Sequence, residues 1–353
     1  MKKIVKQVVG IDVAHKELVI CLGAMFDDWT PQIYDHKAFA NSTKGFIALL
    51  AWVRKNTQSE ADLRFVMEAT GVYHEALAYF LNENNHAVSI VLPAKISNYA
   101  RTLDTKTVTD KTASEAITMF GLERKLTDWK RPDPIYKELK QLTRERDQVV
   151  QMRTMAKNHL HADQAEARPN PESIKRTKKQ IEFFNKQILQ IQSEIRALTK
   201  KDNRIKNTTD LICTIPGVGM LTAVTVLAET NGFELIGNKK QLTSYAGLDV
   251  REKQSGTSVK GKPRISKRGN KFIRKAMHLP ALTTIRHSDR YKAIFARHVS
   301  KHGIKMKAAV AVQRKILELI YTIYKTNKPY DPTYLKNQGA EKLLPEQTGS
   351  RPS

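Results

Sequence analysis

The sequence predicts an α/β domain with a mixed sheet, followed by a long and mostly helical remainder. Three observations carry this reading. Short β-rich apolar runs alternate with helix-period segments as far as Leu92. From Pro132 onward the apolar positions recur at helical spacing. Within that remainder, Ile181, Phe184, Ile188, Ile191, Ile195 and Leu198 keep a strict 3-4 alternation, which is a heptad seam.

The domain is organised around Val8 to Gly23, VVGIDVAHKELVICLG. Two apolar runs, Val8–Val13 and Leu18–Leu22, are separated by four residues and predict a hairpin. Asp12 lies inside the first run. A carboxylate in a buried strand costs several kcal/mol unless it is paired or binds a cation. Asp12 is therefore either at a strand end in water or a metal ligand. Lys37–Phe39 reads as a short strand, and Asn41-Ser42-Thr43 as the cap of a helix with Phe46, Leu49, Leu50 and Val53 on one face. Leu63–Met67 is the next strand, and it delivers Glu68 to its carboxyl end. A helix over His74–Asn82 and a strand over Ala87–Leu92 follow, the latter closed by Pro93. Sites of open α/β sheets lie outside the carboxyl ends of the strands, so Asp12 and Glu68 can converge. After a loop with Arg101, Asp104 and Lys106, a helix begins near Asp110, which is either a cap or a third acid. Three or four carboxylates holding two divalent cations drive in-line phosphoryl transfer, and Mg²⁺ takes oxygen ligands of this kind.

Charge bounds the partners. The 353 residues include 60 Lys+Arg against 35 Asp+Glu, a net +25 that calls for a polyanion, nucleic acid above all. Two cysteines, Cys21 and Cys213, each in an apolar run, argue for a reducing compartment and against a zinc site. No apolar run approaches the roughly 20 residues that span a bilayer, and no signal peptide opens the chain. The expectation is a soluble, cytoplasmic, bacterial protein without membrane contact.

In the remainder, Leu139, Leu142, Val149 and Met152 mark one helix face, and a turn around Pro169 and Pro171 leads to the heptad helix. The pair is either a helical hairpin within one chain or a dimer interface. Charged outer faces leave it little core of its own, which favours packing between chains. Ile215-Pro216-Gly217-Val218-Gly219 joins two apolar helices. It is a helix-hairpin-helix turn whose Gly217 and Gly219 expose N–H groups to a phosphate, or only a tight corner. A polar, basic loop then runs from Arg251 to Lys271 and leads into a helix with Arg274 and Lys275. Its cations, Lys260, Lys267, Arg268, Lys271 and Arg274, suit phosphates. One serine among such cations would be an activated nucleophile, but composition does not separate Ser244, Ser255, Ser258 and Ser266. Core helices over Tyr291–Tyr324 precede a tail expected to be disordered. The predicted segments are 1–130, 131–205, 206–328 and 329–353.

The motifs GIDVAHKEL, MEATGVYHEAL, VTDKTASEAITMFG, IPGVG, LTSYAGL, QSG and RISKRGNKFIRK occur in order from Val8 to about Tyr324. Each alone is weak. Together they resemble the DEDD-type insertion-sequence transposases, also called bridge-RNA-guided recombinases, and the related pilin-gene invertases. The resemblance implies a RuvC-like, ribonuclease-H-like first domain whose acids bind Mg²⁺, with Asp12, Glu68 and Asp110 as three of four. It places the fourth acid at Ala113, one helical turn after Asp110, where the carboxylate is absent. Glu115 is a poor substitute, about 140° around the helix from Asp110. A lone alanine in an intact motif reads as an inactivating change, engineered or natural. The family's Ser-Gly pair matches Ser255-Gly256, which makes Ser255 the nucleophile and Ser244 the reserve. The resemblance further implies an antiparallel coiled coil in the middle segment, dimers that form tetramers on DNA, donor and target DNA as substrates, and a structured noncoding guide RNA. Two rivals remain at this point: a metal-only nuclease of Holliday-junction type, and a non-catalytic nucleic-acid scaffold.

Overall fold

Val8 to Gly23 forms the predicted hairpin, longer at both ends. Strand β1 (Ile4–Val13) pairs antiparallel with β2 (Glu17–Phe26), with Val13 opposite Leu18. A computed structural model describes residues 2–332 apart from 70, 104–106, 108, 235, 253, 256–258 and 262–263, with 254, 255, 259 and 260 described by backbone alone. The chain divides into two compact units, Met1–Arg131 and the residues from Pro132 on.

In the first unit β3 (Pro31–Ala40) completes an antiparallel meander, and α1 (Thr43–Asn56) starts at Ser42, whose side chain accepts from the Gly45 N–H. Then come β4 (Asp62–Glu68), α2 (Glu75–Glu83), β5 (Ala87–Val91), α3 (Pro93–Ala100) and α4 (Asp110–Glu123). The sheet order is β3-β2-β1-β4-β5, with β4 parallel to both β1 and β5. Alternation along β1 divides its side chains between two faces. Val9, Ile11 and Val13 join Phe46, Leu49 and Val53 of α1 and Leu77 and Leu81 of α2 in one core. Val8 faces the other side with Val66, Ile96 of α3, and Ile117 and Leu122 of α4. Asp12 has the parity of Val8, and so lies on the α4 side.

The second unit begins with α5 (Pro134–Ala165) and α6 (Pro171–Lys201). Asp133 and Asn170 cap them, and proline opens each at a position where its missing N–H costs nothing. The two helices pack on each other within the chain. Arg153 donates to Asn185 across the pair, which aligns them antiparallel. Ile188, Ile191 and Ile195 are buried in one core with Leu139 and Val149 of α5. Within one chain, Ile188, Ile191 and Ile195 of the seam are therefore covered by α5, as the helical-hairpin alternative has it. The missing core is supplied by neighbours: the same cluster runs on through Ile205, Ile212 and Val224 to Ile316 and Ile320. Met152, expected on one face of α5 with Leu139, Leu142 and Val149, is exposed. Ile188→Asp should now destabilise the second unit by several kcal/mol, because it buries a charge in an apolar seam. Thermal denaturation checks this; dissociation of an intact fold into smaller species would restore the intermolecular seam.

The remaining helices are α7 (Asn203–Cys213), α8 (Met220–Glu229) and α9 (Lys239–Tyr245). Four two-residue strands follow: β6 (Val250–Arg251), β7 (Gln254–Ser255), β8 (Val259–Lys260) and β9 (Arg264–Ile265), pairing β6 with β9 and β7 with β8. Helices α10 (Lys271–Ala276), α11 (His278–His287), α12 (Asp289–His302) and α13 (Lys305–Thr326) close the unit. No helix among the described residues is long and apolar enough to cross a membrane. The tail expected to be disordered lies, from residue 333, outside the described residues.

Candidate catalytic site

Asp12 is the penultimate residue of β1, and Glu68 is the last residue of β4. The parallel register pairs Ile11 with Met67, so the next pair along is Asp12 and Glu68 on one face. That face is covered by α4, which runs antiparallel to β1. Its course is fixed by two glycines. A Cβ on Gly121 would lie 2.8 Å from Val8 Cγ1, and one on Gly10 would lie 2.6 Å from the Thr118 amide nitrogen. Moving from Val8 through Gly10 to Asp12 thus moves from Gly121 through Thr118 to the helix start at Asp110.

Both ends of α4 are tied. Thr109 and Thr112 form a reciprocal capping box, with the Thr112 N–H donating to Thr109 Oγ1 at 3.2 Å and the Thr109 N–H to Thr112 Oγ1 at 2.8 Å. At the other end the Lys6 ammonium donates to the carbonyls of Gly121, Leu122 and Arg124, a cation at the negative helix terminus. Thr118 Oγ1 donates to the Cys21 carbonyl of β2 at 3.1 Å.

This geometry brings the three acids together electrostatically. Burial pushes the Asp12 carboxyl above the usual carboxylate range, and the charges of Asp110 and Glu68 push it further; the Val13 backbone N–H opposes them. Like charges crowded this way are relieved by a divalent cation, and an all-carboxylate donor set suits Mg²⁺. Among the described residues, no three acids, histidines or cysteines are yet grouped closely enough to hold an ion. Ala113 stands half-buried one turn along α4 from Asp110, with no carboxylate to close the set. Glu115 is engaged elsewhere, 3.0 Å from His36 Nε2 of β3. Asp104 lies outside the described residues.

A raised Asp12 pKa has a sign that can be tested. At neutral pH the ionised Asp12 disfavours the fold, so Asp12→Asn should hold or raise the melting temperature in chelator. Millimolar Mg²⁺ should raise the melting temperature of the unaltered chain and leave Asp12→Asn unmoved. An equal Mg²⁺ response in both would remove Asp12 from the metal site.

In the second unit, Gly217 has φ +83°, and a Cβ there would meet Thr284 Oγ1 of α11 at 2.9 Å. Its lack of a side chain thus serves a tight corner. Gly219 caps α8 with nothing within 4 Å of the Cβ position, an open approach to the helix start. Ser255 and Lys260 stand in β7 and β8, and Gly256 lies outside the described residues. Lys267, Arg268 and Lys271 are exposed. Arg274 differs from the expectation of a phosphate contact: its guanidinium donates to the carbonyls of Ala246 and Gly269 and so builds the loop. Ser266 Oγ donates to Asp249 Oδ1 at 2.5 Å, while Ser244 is exposed on α9.

Sequence reasoning missed Glu229. Its carboxylate is fully buried and takes a bidentate pair from Arg144, Nε to Oε1 at 2.7 Å and Nη2 to Oε2 at 2.8 Å. Asn270 Nδ2 donates to it as well. The available signal was a lone acid ending an otherwise apolar helix, MLTAVTVLAE.

Residues 9–166 match the family model described as a transposase of the DEDD, IS110 type, and residues 209–296 match that of the IS116/IS110/IS902 transposase family. Similarity extends along nearly the whole chain to the pilin gene-inverting protein of Moraxella lacunata, 28% identical over 334 residues, covering 92% of this chain and 98% of that protein. The transposase for insertion sequence element IS1111A of Coxiella burnetii is 27% identical over 145 residues, covering 39% of this chain and 38% of that one. A structure of Thermus thermophilus RuvC with a Holliday junction substrate matches 35% of this chain and 99% of its own, at 9% identity and a TM-score of 0.27, too low to carry an argument. On the strength of the two family models, which lie in order and together span most of it, the chain belongs to the IS110/IS116/IS902 family of transposases and is a DNA-acting enzyme of the recombinase class.

Proposed function

We propose that this chain is the recombinase of an insertion sequence, with acids of the first unit and a serine of the second cutting and rejoining DNA. The observation that carries it is the convergence of Asp110 and Glu68 on the Asp12 carboxyl at the carboxyl ends of β1 and β4. A mixed five-stranded sheet carrying acids in this way supports reading the first unit as a RuvC-like, ribonuclease-H-like domain. Asp12, Glu68 and Asp110 would hold Mg²⁺. That ion supplies charge neutralisation at a phosphate and activation of an attacking oxygen.

Ser255 is the proposed nucleophile. Its Oγ loses its proton and bonds to phosphorus, and the bond from phosphorus to the 3′ oxygen breaks. The 3′ oxygen leaves as a hydroxyl and the 5′ phosphate stays on the serine. The reverse attack by another strand's 3′ hydroxyl rejoins DNA without an energy-rich cofactor. Lys267, Arg268 and Lys271 supply positive charge along the same loop, and the corner made by Gly217 leaves Gly219 at an open helix start that a phosphate can approach. A structured guide RNA and assembly into dimers and tetramers belong to this reading, with the seam through Ile188 already occupied within the chain. Ala113 leaves the acid set one short, so the chain binds DNA and cleaves it poorly.

Binding is the part tested first. With about six phosphates contacted, affinity for duplex DNA should fall on the order of a thousandfold between 50 and 200 mM salt, because released counterions drive association. A flat salt response would remove nucleic acid as the partner that the charge of +25 implies.

A further inference from the structure

The loop that bears the proposed serine and its cations has a built base. Strands β6 and β9 pair at Val250–Ile265 and Arg251–Arg264, and the hairpin of β7 and β8 extends from them. Below the β6–β9 pair, the Ser266 N–H donates to the Asp249 carbonyl at 2.9 Å and the Lys267 N–H to the Gly247 carbonyl at 3.1 Å. Lys267 takes φ +52°, a conformation that β-carbon sterics disfavour and that surrounding contacts must hold. Gly269 lies so close to the Tyr245 carbonyl and the Gly247 nitrogen that no side chain fits there.

These ties converge on Glu229. The Asn270 N–H donates to the Tyr245 carbonyl, and the Tyr245 hydroxyl donates to the Glu229 carbonyl, both at 2.8 Å. Asn270 also caps α10, its Oδ1 accepting from the N–H groups of Phe272 and Ile273, while its Nδ2 donates to Glu229 Oε2 at 2.6 Å. Arg144, from the long helix α5, closes the bidentate pair and lies 4.5 Å over the Phe272 ring of α10. The buried Glu229 carboxylate thus joins α5 and the start of α10 to α8, while its main-chain carbonyl ties the end of α9. Hydrophobic packing alone would hold these helices. A fully buried charge that is expensive to desolvate does more, because it has one geometry in which it is satisfied.

We propose that Glu229 is a positioning residue that, through Arg144 and Asn270, fixes the base of the 249–270 arm and thereby the register of Lys267, Arg268 and Lys271 on DNA phosphates. This deepens the proposed function and rests on its DNA-binding part, not on the identity of the nucleophile.

The test uses the full chain and two variants. Asn270→Ser keeps a capping oxygen for α10 and loses the side-chain bonds to Glu229 and to the Tyr245 hydroxyl. Glu229→Gln keeps the shape and loses the charge, leaving Arg144, which is 41% exposed, able to reach water. Two readouts are taken: backbone hydrogen exchange, and the dependence of duplex DNA affinity on salt. The amides of Gly247, Ser266, Lys267 and Asn270 should exchange about tenfold faster in both variants, with those of α13 unchanged. The slope of log affinity against log salt should fall by about 2 to 3, as cations lose their fixed phosphates. Unchanged amides overturn the proposal, and so do loosened amides with an unchanged slope, which make Glu229 a local tie only. A flat slope in the unaltered chain fails the DNA reading itself, and is seen before any variant is made.

Discussion

Ala113→Asp is expected to raise Mg²⁺-dependent DNA cleavage by 10² to 10⁴, the equivalent of about 3 to 5 kcal/mol of barrier for one transition-state contact. The new carboxylate would stand one turn from Asp110 on α4, facing the same strand ends. Ala113 is half-buried and its amide donates to the Thr109 carbonyl, so the helical turn that would carry the carboxylate is already formed. In that restored background Ser255→Ala should abolish both cleavage and a covalent protein–DNA adduct on denaturing gels. An adduct that survives Ser255→Ala and disappears in Ser244→Ala would move the nucleophile to α9. Cleavage that survives both, leaving free 5′ phosphate ends, would make the enzyme a metal-only nuclease. Strong binding with no cleavage after Ala113→Asp would leave a non-catalytic scaffold.

The first unit was legible because its signals are local. Each strand of the β1–β2 hairpin carries its own apolar run, and Ser42 announces its helix; the cap of α4 is Thr109, one residue before the Asp110 that the sequence offered. That Asp12 and Glu68 meet follows from the rule for strand ends, which needs only the order of elements. Strand β3 was seen only in part, as Lys37–Phe39, because an edge strand with mostly exposed or half-exposed residues lacks an apolar run. The partner of the heptad seam was not legible. Spacing shows that Ile188 and Ile195 need cover, and it is silent on whether the cover comes from α5 of the same chain. Glu229 was invisible for a related reason: its partners Arg144 and Asn270 lie 85 and 41 residues away. The proposed serine rests on motif order alone, since periodicity says nothing about a polar loop.

Gly10→Ala should be the single methyl that most directly disturbs the packing of α4 on β1. Gly10 is flanked by buried residues in the central strand β1, and its Cα faces α4. A Cβ there would stand 2.6 Å from the Thr118 nitrogen and 2.7 Å from the Ser114 carbonyl oxygen, and against Thr118 Oγ1. A side chain can rotate away, but two of these three contacts are helix backbone, so α4 must shift as a body. That shift breaks the Thr118 bond to Cys21 and strains the Lys6 tie at the other end of the helix. Overpacking of this kind costs about 1 to 3 kcal/mol or more, or roughly 10 °C in melting temperature at the upper figure for a unit of this size. The functional loss should exceed the loss of stability. Asp110 is carried on the displaced end of α4, so it leaves Asp12 and Glu68 even in molecules that remain folded. Below the new melting temperature, Gly10→Ala should therefore lose the stabilisation by Mg²⁺, and in the Ala113→Asp background it should lose cleavage by 10² or more. Gly219→Ala is the control, because nothing lies within 4 Å of its Cβ position, so it costs only the modest penalty of an alanine at the α8 N-cap and should leave the Mg²⁺ response intact. A Gly10→Ala protein that keeps both its melting temperature and its Mg²⁺ response would mean that α4 does not rest on β1, and the convergence of the three acids would lose its structural basis.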